Sequence, residues 1–211
     1  MLGFVGDAWR KYRFQRKKET SEKMPSSRLT SAHTQAGRLL PNRIELLQHL
    51  PADARVAEIG VADGDFSAAI LKHARPKHLS LVDAWHTTRY VSGEDSVAQR
   101  FRSEISEGRV SLHKGLSLDV LATFPDDSFD WVYIDTDHSY GLTSRELALC
   151  ERLVAPGGRI CGHDFCTGNA MQGIRYGVVQ AVSEFCLSRD WQYEYVTLES
   201  NGHFSFCLKR L

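Results

Sequence analysis

Residues 55–66 read Arg55-Val56-Ala57-Glu58-Ile59-Gly60-Val61-Ala62-Asp63-Gly64-Asp65-Phe66. A short apolar run reaches two glycines and then gives way to apolar residues at helical spacing. That pattern is a strand over 55–61, a tight turn, and a helix over 66–74. The glycines at 60 and 64 let the backbone turn sharply and let another group approach it closely. Their spacing is Gly-x-x-x-Gly. It is not the Gly-x-Gly-x-x-Gly whose following helix receives a pyrophosphate. Glu58, Asp63 and Asp65 make the turn acidic, which disfavours an anion and suits a cationic amino-acid ligand.

The same alternation continues outward. Asn42 can cap a helix over 43–49 that points Leu46, Leu47 and Leu50 inward. Further strands are expected over 78–85, 110–114, 129–136 and 159–165. Between them lie helices over 96–107, with Val97, Phe101 and Ile105 on one face, over 118–123, and over 143–154, which Pro156-Gly157-Gly158 would stop. A helix over 174–188 and two strands over 193–198 and 204–208 complete the pattern. Asn201-Gly202 between the last two strands is a hairpin signal. The fourth strand, Phe129-Asp130-Trp131-Val132-Tyr133-Ile134, is apolar enough to be buried on both faces. The expected fold is therefore α/β: one Rossmann-like, doubly wound sheet, mostly parallel, with helices on both faces. The C-terminal hairpin adds one antiparallel strand. In such sheets ligands sit outside the carboxyl ends of the strands, where the strand order reverses.

The chain has 211 residues, 42% hydrophobic and 25% charged. That composition excludes a disordered tail, a collagen-like fibre and a disulfide-rich miniprotein. No apolar run approaches the ~18 residues that would span a bilayer. The first residues lack the apolar core of a signal peptide, so a cytoplasmic protein is expected. The net charge of zero hides an asymmetry: residues 1–50 carry +6 and residues 51–211 carry −6. Six of the ten residues from Trp9 to Lys18 are Lys or Arg, interleaved with Trp9, Tyr12 and Phe14. Residues 1–35 read as a basic arm, preceding a domain over 36–211. The arm could be a mobile tail, a helix that caps the domain or its neighbour, a lid, a subunit contact, or a surface for an anionic membrane, a nucleic acid or a partner. The five cysteines have no paired Cys-x-x-Cys spacing, so reduced thiols are expected and a zinc site is not.

Motif by motif, chemistry collects at the strand ends. Asp83 closes the second strand, twenty-three residues after Gly60. A carboxylate there accepts hydrogen bonds from ribose hydroxyls. The fourth strand runs into Asp135-Thr136-Asp137-His138-Ser139-Tyr140, and the fifth into Gly162-His163-Asp164-Phe165. Three acids brought close together repel unless a cation neutralises them. Oxygen ligands suit Mg²⁺, Mn²⁺ or Ca²⁺, while an added imidazole tilts the choice toward Mn²⁺, Fe²⁺ or Zn²⁺. The plainer alternatives are a hydrogen-bonded network without metal and, for His138, a helix cap.

The glycine turn resembles motif I of class I S-adenosylmethionine-dependent methyltransferases, with Ala62 in place of the middle glycine. Asp-x-Asp-His-Ser-Tyr, followed by Pro-Gly-Gly and a strand ending in Asp, resembles the metal-dependent small-molecule O-methyltransferases. The branch that methylates macrolide sugars is the nearest in pattern. The resemblance covers residues 39–211 and not the arm. It implies S-adenosylmethionine held by Glu58, Gly60, Gly64, Phe66, Asp83, Ala84, Trp85, Gly115, Ser117 and Asp135. It implies a divalent cation, Mg or Mn, on Asp135, His163 and Asp164. His163 stands where that group has an oxygen ligand. His138 matches the general base, with Asp137 in a supporting place. The resemblance further implies a small-molecule hydroxyl acceptor, a sugar or secondary metabolite, and a homo-oligomer. Two other classes compete on the residues alone: a metal-dependent hydrolase or hydroxylase using the Asp/His cluster, and a non-catalytic nucleotide-binding protein.

Overall fold

The structure, a computed structural model, describes residues 24–85 and 93–211. The basic cluster from Trp9 to Lys18 lies outside the described residues.

The central sheet has eight strands. In chain order they are β1 (Arg38–Leu40), β2 (Arg55–Ile59), β3 (His78–Asp83), β4 (Val110–Lys114), β5 (Phe129–Ile134), β6 (Val154–Gly162), and the last pair, β9 (Trp191–Thr197) and β10 (Phe206–Arg210). Strands β7 (Gly168–Asn169) and β8 (Ile174–Arg175) form a separate antiparallel pair. The spatial order in the sheet is β1-β9-β10-β6-β5-β2-β3-β4. Only β10 runs against its neighbours, β6 and β9; the remaining pairings are parallel. The chain winds from β2 to β4 in one direction and from β5 onward in the other. The order therefore reverses between β2 and β5.

Both faces of the sheet are covered because the central strands are apolar on both sides. In β5, Trp131 and Tyr133 enter one core, while Val132 and Ile134 enter the other. The first core is closed by α2 (Arg43–His49), α3 (Asp65–His73), α4 (Gly93–Arg100) and α5 (Arg102–Ser106), which follow the four-residue α1 (Ser31–Thr34). The second is closed by α6 (Ser117–Thr123), α7 (Tyr140–Leu153) and α8 (Val178–Arg189). Trp131 and Trp191 are fully buried.

Several expected boundaries move. The helix over 96–107 is two helices, because Phe101 leaves helical geometry at φ −105°, ψ 24°. Pro156-Gly157-Gly158 lies inside β6 rather than before it. The register with β5 shifts there, and a side chain at 158 would meet the Asp130 carbonyl oxygen at 2.5 Å. Residues 174–177 are not helical: Ile174 and Arg175 pair in β8, and α8 starts at Val178. Residue 35 is not an edge of the packed chain, since His33 is buried and Leu29 packs against the second core.

Candidate functional site

The carboxyl ends of β2, β3 and β5 open on a single cleft of about 690 Å³. Its floor is the turn after β2. Gly60 lies at φ +91°, and its N–H donates to Val82 O at 2.8 Å. A Cβ at this position would sit 2.0 Å from the Asp135 carbonyl oxygen, so only glycine lets the two strand ends come together. Gly64 opens α3 at φ +79°, and a side chain there would meet Phe101 at 2.9 Å. Gly64 thus serves packing beneath the turn rather than the cleft wall.

Asp83 ties the turn after β2 to the end of β3. Its Oδ2 accepts from the backbone N–H groups of Val61 and Ala62, at 2.8 and 3.0 Å. Its Oδ1 accepts from the Trp85 N–H at 2.8 Å. The Trp85 indole N–H in turn donates to Ala62 O at 2.9 Å. A carboxylate has about four acceptor positions, so Oδ1 retains capacity for a ribose hydroxyl. Ala84 and Trp85 line the cleft beside it. Ser117 lines it too, at the first position of α6 and not as the cap, which is Leu116. Gly115 is absent from the lining. It turns the chain below the cleft, its N–H donating to Asp83 O at 3.0 Å.

Glu58 and Phe66 form the inner wall. Burial pushes the Glu58 carboxyl up to about 8, offset in part by the hydrogen bond from the Ser67 hydroxyl. Asp65 is paired with Arg100 at 2.6 Å. The turn is therefore less negative than its residue types imply. The Phe66 ring packs on Tyr133, and the Arg43 guanidinium lies over it at 4.4 Å. Arg43 also lines the cleft, 3.8 Å from Asp135 Oδ2.

Asp135 and His138 line the cleft, and the loop after β6 meets them from behind: His163 and Asp164 are absent from the lining. His138 Nε2 is 3.0 Å from Asp164 Oδ2. His163 Nδ1 is 3.7 Å from Asp135 Oδ2 and 3.6 Å from Asp164 Oδ2. His203, from the loop between β9 and β10, bonds to the other Asp164 oxygen. Burial works to raise the Asp164 pKa, but its hydrogen bonds with His138, His163 and His203 hold it well below the usual carboxylate range. Burial pushes Asp135 upward. Burial also opposes a charge on His138, yet Asp164, Asp135 and Asp137 together hold its pKa above the ordinary value. The helix-cap role expected as an alternative for His138 belongs to Ser139, whose hydroxyl accepts from Leu142 N–H at 3.3 Å. Asp137 accepts from Ser139 N–H at 2.8 Å and so shapes this turn.

Asp135, His138 and Asp164 each offer one donor atom within 4.8 Å of the others. Two carboxylates and an imidazole at that separation fit a divalent cation. This set differs from the expected trio, since His138 rather than His163 completes it. Arg43 adds a positive charge 3.8 Å from Asp135 Oδ2. Asp164, Cys166 and His203 make a second group of the same size. Sequence reasoning missed Arg43 and His203. Arg43 lay in an ordinary helix pattern, and His203 is brought in only by the hairpin.

A family model described as a methyltransferase domain matches residues 57–165, more than half of the chain. The chain belongs to this methyltransferase family. It is an S-adenosylmethionine-dependent enzyme of the class I fold, and the hydrolase and non-catalytic readings fall away. No curated protein matches it. Among solved structures, it is similar to a candidate rRNA methylase from Clostridium thermocellum, with 13% identity and a TM-score of 0.61 over 82% of this chain and 97% of that one. It is also similar to cofactor-bound Rv0187 from MTB, with 18% identity and a TM-score of 0.59 over 92% and 87%. The pyocyanin biosynthetic protein PhzM matches at 15% identity and a TM-score of 0.57 over 76% of this chain, which spans about half (51%) of PhzM. Identities this low speak to the fold alone. Among the described residues no helix is long and apolar enough to cross a membrane.

Proposed function

We propose that this methyltransferase transfers the methyl group to a hydroxyl oxygen of a small molecule, with His138 as the general base. The observation that supports this is the pairing of His138 with Asp164 at 3.0 Å, beside a cleft whose opposite end is the Asp83-bound turn. A hydroxyl with pKa near 15 is a poor nucleophile until its proton has somewhere to go. In the proposed reaction His138 accepts that proton as the oxygen attacks the methyl carbon. Asp164 orients the ring and stabilises the imidazolium that forms. Asp83 and the turn at Gly60 hold the cofactor so that methyl group and oxygen meet in line, which is most of what an already activated methyl sulfonium requires.

Asp135 and Asp164, with His163 or His138, are the residues that would hold a divalent cation. Such an ion supplies a lowered pKa for a hydroxyl bound to it. If His138 is the base, His163 is the imidazole left to complete the metal set. The proposal places the enzyme in the cytoplasm as a homo-oligomer.

The test is a thermal-unfolding shift with S-adenosylhomocysteine, run with Mg²⁺, with Mn²⁺ and with chelator. A screen of hydroxylated sugars and aromatic metabolites for S-adenosylhomocysteine release follows. Ligand at 100 times its dissociation constant adds about 2.7 kcal/mol, and each kcal/mol moves the midpoint by roughly 2–4 °C in a chain this size. Release with amine acceptors but no hydroxyl acceptor would overturn O-methylation. Full turnover after chelation would remove the metal.

A further inference from the structure

We propose that Asp164, Cys166 and His203 form a zinc site at the Asp164 oxygen that does not face His138, and that the ion pins the loop over 198–205 against the loop that follows β6. The site depends on these three side chains and not on the reaction assigned to His138.

Backbone bonds set the two loops. Asp164 lies at φ 54°, and the Cys166 N–H donates back to Asp164 O at 2.6 Å. This three-residue turn has Phe165 at its tip, packed on the rings of Tyr193 and Phe206 at 5.7 and 5.8 Å between centroids. The side chains on either side of the tip, Asp164 and Cys166, are left together. The Phe165 N–H donates to Phe204 O at 2.9 Å, which joins the turn to the loop between β9 and β10 and seats His203 against Asp164. Asn201 Oδ1 accepts from the His203 N–H at 3.1 Å and holds that loop from its other side.

The donor atoms converge. One each from Asp164, Cys166 and His203 lies within 4.8 Å of the others. Asp164 divides its oxygens between two directions. Oδ1 meets His203 Nδ1, while Oδ2 faces His138 Nε2 at 3.0 Å and His163 Nδ1 at 3.6 Å. An ion on Oδ1 therefore replaces the hydrogen bond to His203 and leaves Oδ2 to His138. His163 and Tyr176 are the next titratable neighbours, with rings 6.4 and 6.3 Å from that of His203.

Donor type selects the metal. A thiolate, an imidazole and a carboxylate are ligands of Zn²⁺, which takes four in a tetrahedron, whereas Mg²⁺ and Ca²⁺ prefer oxygen throughout. Cys166 is the one cysteine of five that is not buried. Three protein ligands leave the fourth position to solvent, which reaches the half-buried Cys166 and His203. The sequence shows no paired zinc spacing because two loops far apart in the chain assemble the site.

The test takes the full chain, stripped with chelator and kept in a non-thiol reductant, and titrates it with Co²⁺ and then Zn²⁺. Cobalt bound to a thiolate gives a charge-transfer absorption in the near ultraviolet, which a site of oxygen and nitrogen donors does not. The unaltered protein should show that band, and Zn²⁺ should displace it. Cys166→Ser should abolish the band. His203→Gln should weaken the band-forming metal by at least about 10-fold, since even a supporting contact to a metal ligand is worth that much. Asp135→Asn, which alters the cluster facing the cleft, should leave the band and its displacement unchanged. Absence of the band from the unaltered protein would overturn the proposal, as would its persistence in Cys166→Ser or its indifference to His203→Gln. Melting temperatures of the metal-free variants identify a folding defect. Should Cys166→Ser have one, His203→Gln, in a surface loop, carries the comparison.

Discussion

His138 and Asp164 meet at 3.0 Å although they leave different strands. Both sit in the left-handed backbone region, at φ 62° and φ 54°. That conformation costs a side-chain-bearing residue on the order of 1–3 kcal/mol and persists only where the surroundings impose it. Here the imposing contacts are the turn held by Asp137 and the three imidazoles around Asp164. Two strained backbones that produce one ion pair, with His138 in the cleft lining, point to use rather than accident.

On that basis, His138→Ala should lower turnover by roughly 10²–10⁴-fold on the hydroxyl acceptor found by the screen. Affinity for S-adenosylhomocysteine should be unchanged, because the proposed nucleoside contacts, Asp83 and the turn at Gly60, do not include His138. Steady-state kinetics and calorimetry on one preparation read both quantities. Normal turnover would place the base elsewhere.

Asp83→Ala removes the acceptor of three backbone N–H groups, those of Val61, Ala62 and Trp85. The loss should reach the ligand-free protein as well as the cofactor. Stability should fall by about 1–3 kcal/mol, the cost of stranding buried donors, and S-adenosylhomocysteine should bind more weakly. Denaturant unfolding without ligand separates the two effects. Unaltered stability with weakened binding would mean that Asp83 serves the ribose alone.

The fold was largely legible because the central strands are short, apolar and separated by helical patterns. What escaped was short or depended on distant contacts. β1 has three residues, two of them exposed, and gains its place only by pairing with β9. The pair β7 and β8 carries exposed Ile174 and Arg175, which a helical pattern absorbs equally well. Asn201-Gly202 marked the last hairpin, but its loop spans 198–205 instead of two residues. That extra length carries His203 to Asp164. The glycine turn, Asp83 and the Asp/His loops could be read because each motif is local. Arg43 could not be, since nothing in a helix pattern says that its guanidinium ends beside Asp135.

The metal reading has its own check. Asp135→Asn removes one of the two carboxylates, Asp135 and Asp164, that would hold the cation. It should raise the Mg²⁺ or Mn²⁺ concentration needed for half-maximal turnover. Chelator should silence the unaltered enzyme until metal returns. A chelated enzyme at full rate would leave these residues as a hydrogen-bonded network around His138.

Glu58 gives a prediction in pH. It is buried in the inner wall of the cleft, and that burial lifts its pKa from an ordinary 4.5 to about 8. The folded state therefore holds a proton that the unfolded chain releases above about 4.5. Between pH 4.5 and 8 the native protein binds more protons than the unfolded one, so stability falls as pH rises across that window. Glu146 adds to the same trend up to about 7, since burial raises it despite the hydrogen bond from the Thr136 hydroxyl. The midpoint of thermal unfolding should decline between pH 5 and pH 9. Glu58→Gln has no proton to lose, keeps the shape and can still accept from Ser67 through its amide oxygen. Its decline should be clearly shallower, and the variant should be the more stable of the two at pH 9. Unfolding curves at five pH values in one ionic strength decide it. Parallel declines in both proteins would show that Glu58 is already ionised in the native state, with its charge answered by Arg43 across the Phe66 ring.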